Sequence, residues 1–480
     1  MAYRHGIYGS EVPTSLVPMT SVSAGLPVVF GTAPIHLASD PAKVNTPILC
    51  YTYKEAVQYF GYSDNWDKYT LCEFMKSNFA LFNMAPVVFV NVLDPATHKT
   101  AVTKQTETLT EGICKISDPV VLSTLVVKLT EAGQPLAKNT DYTAAYNDNE
   151  ELVITAINGG AITGKSISVS YDKLDPTVVD KDDIIGGIDT TTGDLEGLEL
   201  VNQVFPKFGL IPGLILAPGW SHQSDVAAVM KAKTTNINGH FEAICICDVD
   251  SSTVKKYSDV SEWKNTNNYV DPYQVLCWPK VKLSDKKYHL STQLAGVICK
   301  TDSKHDDVPY WSPSNQSLQA DSAVNDDGKE IYLDTPSAAY LNSQGVVTAL
   351  NFIGGWKVWG NQTCCYPSNT DVKDALIPIR RMFNWVNNTL VTSFWSKIDN
   401  PGNKRLIETI VDSANIWLNG LTSREFILGG RVEFRKDENS TTDLMDGIIR
   451  FHVFITPPSP AREIEFIQEY DPDYISTLFS

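Results

Sequence analysis

Three short motifs hold the residues of this 480-residue chain that could do chemistry. The first is GGAITGKS, from Gly159 to Ser166, which fits the phosphate-binding pattern G-x-x-x-x-G-K-S/T. A phosphate loop needs a helix behind it, because the helix N-terminus completes the anion site. The alternating segment SISVSYD follows instead and predicts a strand, so we expect a glycine-rich turn. A nucleotide-driven motor that uses Lys165 is the alternative.

The second motif is GWSHQ, Gly219 to Gln223, which lies between a predicted strand and a predicted helix. An esterase places its nucleophile at such a turn and has glycine two residues after the serine, where this chain has Gln223. We therefore expect Ser221 or Ser224 to cap the following helix. A serine hydrolase that uses Ser221 is the alternative.

The third group of candidates consists of metal ligands. None of the eight histidines forms H-E-x-x-H or a Cys/His ligand spacing. KHDDVPYW offers one imidazole and two carboxylates at His305–Asp307, but adjacent polar residues before a proline are typical of a solvated loop. Asp248 and Asp250 end a predicted strand, where ligands bind in open α/β sheets, although a turn or helix cap is the simpler use. We expect no catalytic residue, no metal and no cofactor, and hence no enzyme.

The composition of the chain argues against two classes of binding partner. Lys and Arg total 39 against 56 Asp and Glu, a formal charge of −17, which argues against nucleic acid and against anionic membranes. No segment approaches the roughly 18 apolar residues that a membrane helix needs. The nine cysteines include no C-x-x-C pair, and most lie in apolar runs. They are expected to be buried thiols of a chain made in a reducing cytoplasm.

Hydrophobic periodicity predicts a layered α/β core interrupted by a small all-β domain. Strand-like runs such as PVVFVNVL and EAICICDV alternate with helical patterns such as LSTQLAGVICK, which indicates a largely parallel sheet. The predicted divisions are an N-terminal arm, 1–22; the α/β core in two parts, 23–95 and 193–364; the inserted β domain, 96–192; and a C-terminal α+β assembly domain, 365–480.

The two chain ends lack an obvious partner. Residues 372–394 and 406–418 predict two helices, and RVEFRKD and IIRFHVFIT predict strands, before PPSP breaks the chain. The last segment, EIEFIQEYD, alternates apolar and charged residues and predicts one more strand. An unpaired strand is an aggregation hazard, so either it folds back on its own chain or it adds to the sheet of another chain.

Several segments of the sequence have a familiar form: the opening YRHGIYGSEVPTSLVP with VVFGTAP, LAGVICKTD with PYWSPSN, WKVWGNQT, and the C-terminal stretch GGRVEFRKDENSTTDLMDGIIRFHVFITPPSPAREIEFIQEYD. In these segments the sequence resembles the tail sheath proteins of contractile bacteriophages and of phage-tail-like bacteriocins. The C-terminal matches are Gly430, Arg431, Asp443, Gly447, Pro457, Pro458, Ala461 and Glu463. Gln362 departs from the arginine expected there, which puts only that local contact in doubt.

The resemblance implies a non-enzymatic subunit that polymerises around an inner tube and contracts to drive the tube through a target envelope. It implies baseplate and tail-terminator partners, arms exchanged between copies, a β insertion facing outward, and a C-terminal domain facing the tube. Such a chain is made in the bacterial cytoplasm and ends in a virion tail or a released particle. A tube or baseplate component is the alternative within the same class.

Two sets of contact residues follow from these expectations. The predicted subunit interface is formed by Tyr3, Ile7, Tyr8, Val12, Val432, Phe434, Phe451, Val453, Ile464, Phe466, Ile467 and Tyr470. The donated strands are expected around Ile7–Val12 and at Ile464–Tyr470. The predicted tube contact is formed by Lys404 and Arg405.

Overall fold

A computed structural model describes residues 17–20 and 23–479 of the chain. Its strands, in chain order, are β1 Pro27–Gly31, β2 Ile48–Cys50, β3 Val87–Asn91, β4 Lys99–Thr108, β5 Ile113–Ile116, β6 Val126–Lys128, β7 Tyr142–Tyr146, β8 Leu152–Ala156, β9 Ser166–Leu174, β10 Gly187–Ile188, β11 Leu195–Glu196, β12 Leu214–Leu216, β13 Ile244–Asp248, β14 Gln274–Cys277, β15 Lys280–Leu283, β16 Lys286–Tyr288, β17 Ser322–Val324, β18 Val346–Asn351, β19 Trp356–Trp359, β20 Gly429–Glu433 and β21 His452–Thr456.

The helices fill the connections between these strands. They are α1 Tyr53–Phe60, α2 Thr70–Met75, α3 Lys181–Ile185, α4 Val201–Phe208, α5 Ser224–Ala232, α6 Tyr257–Thr266, α7 Leu290–Ser303, α8 Thr335–Ser343, α9 Val372–Ala375, α10 Ile377–Phe394, α11 Lys404–Ser423 and α12 Thr441–Met445. A π-helix, Lys76–Leu81, continues α2, and Pro472–Phe479 forms a 3-10 helix near the C-terminus.

The core is an eight-stranded sheet in the order β19-β18-β14-β13-β12-β1-β3-β2. Its six inner strands are parallel, and the edge strands β2 and β19 run antiparallel to their neighbours. Every residue of β1, β3 and β13 is buried, because helices cover both faces of the sheet. The predicted α/β class with a largely parallel sheet is confirmed.

A second core lies between β3 and α3. Strands β4-β9-β6 and β5-β8-β7 form two three-stranded antiparallel sheets. They enclose their own apolar cluster, which includes Val127, Leu152, Ile154 and Val169. The phosphate-loop pattern lies here: Ser166 begins β9, so the predicted strand, and not a helix, follows the glycine-rich turn.

Three helix predictions need correction. The apolar residues between Leu71 and Phe82 recur near a 3.6-residue period, which predicts one amphipathic helix. The segment instead forms α2 and then widens into the π-helix, which brings the Phe82 ring against the glycine of α7. A Cβ at Gly296 would lie 2.3 Å from that ring, so only glycine permits the approach.

The pattern from 372 to 394 is two helices, because Leu376 is extended (φ −110°, ψ 122°) and Pro378 occupies the first turn of α10. The helix predicted to end at Gly420 continues to Ser423.

The C-terminal region packs around a third apolar cluster. Met382, Trp385 and Val386 of α10 meet Ala414 and Leu418 of α11 there. Strands β20 and β21 pair antiparallel, with Val432 opposite Val453, and lie against the same cluster. They form a two-stranded sheet, so this small hairpin contributes no strand to the main sheet.

A buried ion pair joins this region to the α/β core. The Arg381 guanidinium of α10 binds both carboxylate oxygens of Asp302 on α7, with Nη1 at 3.0 Å from Oδ1, and Nη2 also donates to the Ala24 carbonyl at 3.2 Å. Both side chains are almost fully buried. The pair therefore connects α7, α10 and the chain just before β1.

We predict that Asp302→Asn lowers the free energy of unfolding by about 3–5 kcal/mol, because it leaves the Arg381 charge buried without a counter-charge. Glu408→Gln, which makes the same change at the exposed Lys404–Glu408 pair, should cost only a small fraction of that. Denaturant unfolding followed by circular dichroism measures both. Equal effects of the two substitutions would contradict this role for the buried pair.

Candidate assembly interface

The segment from Ala461 to Asp471 is exposed along its length. From Ala461 to Asp471 every residue is exposed, and the segment contains neither helix nor strand. Its large apolar side chains are mostly in solvent: Ile464 is 72%, Phe466 85%, Ile467 88% and Tyr470 77% exposed. Clustered apolar exposure of this kind usually marks a protein interface.

This segment, Ala461–Asp471, which we call the C-terminal arm, was predicted to be a strand. Within one chain it is not a strand, because it lies against no sheet that could supply hydrogen bonds. It has not folded back on its own hairpin, which was one of the two alternatives. Its pairing with a neighbouring copy stays a prediction.

The hairpin β20–β21 holds four more of the predicted interface residues. Val432 is buried against the C-terminal cluster, and Phe451 and Val453 pack on that cluster while half-exposed. The Phe434 ring lies 6.1 Å from the Phe451 ring, centroid to centroid. The side chain of Val432 thus packs within its own chain, and the structure gives no support to a contact between subunits through this side chain.

The predicted N-terminal contacts Tyr3, Ile7, Tyr8 and Val12 lie outside the described residues. The adjoining residues are fixed on the C-terminal helices. The backbone N–H of Val17 donates to Ser413 Oγ of α11 at 2.8 Å, and that of Thr20 donates to Ser393 Oγ of α10 at 2.9 Å. The chain therefore enters the α/β core from the same region that the C-terminal arm leaves.

The predicted tube-contact residues begin α11. Lys404 and Arg405 are both exposed, and the Lys404 ammonium lies 3.4 Å from a Glu408 carboxylate oxygen. Asn403 caps the helix by accepting the N–H of Leu406 at 3.0 Å. Beside them runs a groove of about 670 Å³, whose apolar walls are formed by Ile407, Val411, Phe434, Leu444 and Ile449.

Ser221 does not cap a helix, contrary to prediction. Helix α5 begins after Gln223 without a side-chain cap. The Ser221 hydroxyl instead accepts the Asp248 N–H at 3.1 Å and lies 3.5 Å from the Asp248 carboxylate. Ser291 donates both its N–H (3.0 Å) and its hydroxyl to the same carboxylate. Because the side-chain partner of the Ser221 hydroxyl is a carboxylate and not an imidazole, this arrangement does not provide the base that activates a serine nucleophile.

A second buried acid lies close by. Glu73 of α2 accepts the N–H of His289 and contacts its Nδ1, both at 2.7 Å. Burial opposes ionisation of both groups, but their mutual attraction raises the pKa of His289 and lowers that of Glu73. Burial raises the pKa of Asp248. These bonds join α2, α7 and the end of β13, and they border a cavity of about 720 Å³.

The metal and thiol candidates have structural partners. His305 Nδ1 lies 2.7 Å from the Thr301 carbonyl, and its ring stacks on Trp311 at 4.5 Å. Within residues 17–20 and 23–479 no group of three or more His, Cys, Asp or Glu side chains could hold a metal ion.

All nine cysteines are free and buried, as the sequence predicted for most of them. The described helices include none long and apolar enough to cross a bilayer.

Comparison with known proteins gives a full-length relative, although no protein-family model matches. The tail sheath protein of Burkholderia phage BcepMu is 27% identical, over 99% of this chain and 98% of its own length. A putative prophage major tail sheath protein of Pseudomonas aeruginosa is 24% identical, over 62% of this chain and 74% of its own. The first alignment runs from one end of the chain to the other. Over almost its entire length, the chain is similar to a tail sheath protein.

The fold agrees with solved sheath structures. The contracted helical sheath of the anti-feeding prophage has a TM-score of 0.58 at 12% identity and covers 98% of this chain and 100% of that one. The contracted sheath complex of the PVC extracellular contractile injection system has a TM-score of 0.57 at 13% identity, covering 98% and 99%. The resemblance stated from the terminal motifs is confirmed. The sequence did not reveal the roles of Ser413, Ser393 and Asn415, because none of them belongs to a recognisable motif. Ser413 and Ser393 accept the backbone N–H groups of Val17 and Thr20, and the Asn415 amide binds the backbone N–H and carbonyl of Val432.

We predict that Ser221→Ala lowers stability by about 1–3 kcal/mol, because the buried Asp248 N–H loses its acceptor. The parent chain should form no adduct with a fluorophosphonate ester probe, since Ser221 is bound to a carboxylate. Thermal unfolding and intact-mass measurement test the two statements. A stoichiometric adduct that disappears in Ser221→Ala would instead support the hydrolase alternative.

Proposed function

We propose that this chain is the structural subunit of a contractile tail sheath, which polymerises around an inner tube and shortens to drive that tube through a target envelope. The observation that carries the proposal is a full-length sheath relationship in a chain whose C-terminal arm is wholly exposed. The role needs no catalytic residue, because contraction can proceed downhill between two arrangements of the same polymer.

The arm supports assembly by strand addition. An extended segment that joins a neighbour's sheet gains main-chain hydrogen bonds and covers its apolar side chains. In such a strand Ile464, Phe466 and Tyr470 share one face with Gln468, and Ile467 shares the other face with Glu463, Glu465 and Glu469. The mainly apolar face would pack on the acceptor chain while the glutamates stayed in water.

Exchange of arms between identical copies gives an open polymer. The donor surface and the acceptor surface are different parts of the chain, so each contact is heterologous, and such contacts continue into rings or helices. The N-terminal arm, 1–22, would make a second connection of this kind. Since residues 17–20 leave from the same helices as the C-terminal hairpin, both connections belong to the C-terminal assembly domain, 365–480.

The remaining surfaces are assigned to other partners. We place Lys404 and Arg405 against the inner tube and the inserted β domain, 96–192, on the outside of the sheath. Baseplate and tail-terminator proteins would meet the two ends of the polymer. The exposed start of α11 supports the tube contact, because it places two cations in solvent, of which Lys404 pairs with Glu408.

We predict that deletion of 461–480 leaves a folded monomer that cannot polymerise. The deleted residues make few contacts with their own chain, so circular dichroism and thermal unfolding should match those of the parent. Negative-stain microscopy and light scattering should show cylinders from the parent chain and none from the deletion. Cylinders of normal length from the deletion variant would refute the role of the arm.

We predict that Lys404→Glu with Arg405→Glu weakens binding of the sheath to its tube while contracted sheaths still form. The matched control is Lys138→Glu with Lys165→Glu, which reverses two exposed charges in the inserted β domain. Co-sedimentation of tube protein with assembled sheath measures the effect. Equal tube recovery with both double variants would remove Lys404 and Arg405 from the tube contact.

A further inference from the structure

The cavity of about 720 Å³ lies at the carboxyl edge of the main sheet. It is bordered by the loop after β12, Gly219–His222, by the loop after β13, Asp248–Ser252, and by the start of α2. The chain leaves β1 toward β3 on one side, whereas β12 lies on the other side of β1. Open α/β sheets bind ligands in the crevice where the strand order reverses in this way. The position of the cavity is therefore that of a ligand site.

The helix that begins at this crevice has no free N-terminus. Phosphates in such crevices usually bind the backbone N–H groups at the start of a helix. At the start of α7 the N–H of His289 donates to Glu73 at 2.7 Å, and that of Ser291 donates to Asp248 at 3.0 Å. Carboxylates of the chain itself thus occupy the helix N-terminus, so an anion in the cavity must be held by side chains.

Two lysines of the small sheet β16-β15-β17 border the cavity. Lys280 lies two residues before Lys282 on β15, and Lys287 of β16 is the cross-strand partner of Lys282. Because side chains alternate along a strand, Lys280 and Lys287 share one face of this sheet. The Lys280 ammonium lies 2.5 Å from a carboxylate oxygen of Asp326, and the Lys287 ammonium donates to the Asp326 backbone carbonyl. Both cations therefore meet at one residue of the turn that follows β17.

Asp326 is the anion within this group of cations. A hydrogen bond from Lys280, together with the charges of Lys280, Lys287 and His289, holds the pKa of the Asp326 carboxyl below its usual range. Burial opposes the charged form of His289, but the attraction of Glu73 raises the pKa of its imidazole. Three positive groups therefore surround a position that one carboxylate occupies.

Two further donors border the cavity. The Ser251 hydroxyl and the Trp220 indole N–H are buried and have no hydrogen-bond partner among the residues that the structure describes. Ser251 is only 3% exposed, and its carbonyl accepts the N–H of Asp326 at 3.4 Å, so it lies beside the same turn. An indole N–H can only donate, and a hydroxyl donates readily, so both groups suit an acceptor such as an oxyanion.

The acidic side chains of the cavity do not cancel these cations. Glu73 is paired with His289, and burial raises the pKa of Asp248, which favours its neutral form. The other carboxylates of the lining are at least partly in solvent, where water and salt screen them. They belong to Asp64, Asp67, Asp250 and Asp285.

We propose that Lys280 and Lys287 form a binding site for the phosphate group of a small molecule, with Ser251 and Trp220 as further donors. In the structure the Asp326 carboxylate occupies the position of the anion, so a phosphate binds by displacing that carboxylate from the lysines. The site is separate from the arms and from the tube contact, and it does not depend on the role in a sheath.

Asp326→Asn tests the proposal, because it removes the competing charge and keeps the size of the side chain. The matched control is Asp327→Asn, which removes the same charge from the next residue, whose carboxylate pairs instead with Lys255 at 2.8 Å. Equilibrium dialysis of the full-length chain against radiolabelled inorganic phosphate, at fixed ionic strength, gives the affinity and the stoichiometry. We expect one phosphate per chain and at least about tenfold tighter binding by Asp326→Asn than by Asp327→Asn. Adding Lys280→Gln to Asp326→Asn should reverse that gain.

Thermal unfolding of the parent chain gives a second measurement, which does not require the Asp326 variant to fold. Millimolar phosphate, too dilute for a general salt effect, should raise the unfolding temperature above its value in chloride of equal ionic strength. Lys280→Gln combined with Lys287→Gln should remove this difference. Equal phosphate affinity of Asp326→Asn and Asp327→Asn, or a phosphate-dependent shift that persists without the two lysines, would overturn the proposal.

Discussion

A β-strand edge must have a hydrogen-bond partner, and most of the C-terminal structure can be understood from that constraint. Two edges and one free strand-forming segment are available in the hairpin region. Within residues 17–20 and 23–479, Asn415 occupies the first edge, no strand pairs with the outer edge of β21, and the apolar side chains of the arm are exposed. Under the proposed function, contacts between copies of the chain cover these groups.

This arrangement needs a rigid base, which the rest of the chain provides. The main sheet is buried on both faces, and the Arg381–Asp302 pair holds α10 against α7. Val17 and Thr20 fix the start of the chain on α11 and α10. Movement of a neighbouring subunit that pulls on either arm would therefore act on the C-terminal helices, while the hydrophobic core and its own hydrogen bonds stay intact.

Much of this could be predicted from sequence, because burial leaves a periodic signal. Continuous apolar runs predict the parallel strands, and apolar residues at a 3.6-residue period predict α7, α10 and α11. Pro378 is a local signal for the start of α10. The widening at Lys76–Leu81 has no such local pattern. Ser221 was assigned to a helix cap because its nearest helix is visible in sequence, whereas its actual partner, Asp248, is 27 residues away. Asn415 could not be found at all, since its role exists only once α11 lies beside β20.

The central claim is that each chain completes the sheet of its neighbour. Electron cryomicroscopy of the assembled full-length chain tests it most directly, at a resolution that traces the backbone through 457–471. The account predicts a hollow helical cylinder in which the density of the arm leaves one subunit and pairs with a strand of the next. Density that returns the arm to its own hairpin, or subunits that contact each other only through side chains, would contradict it.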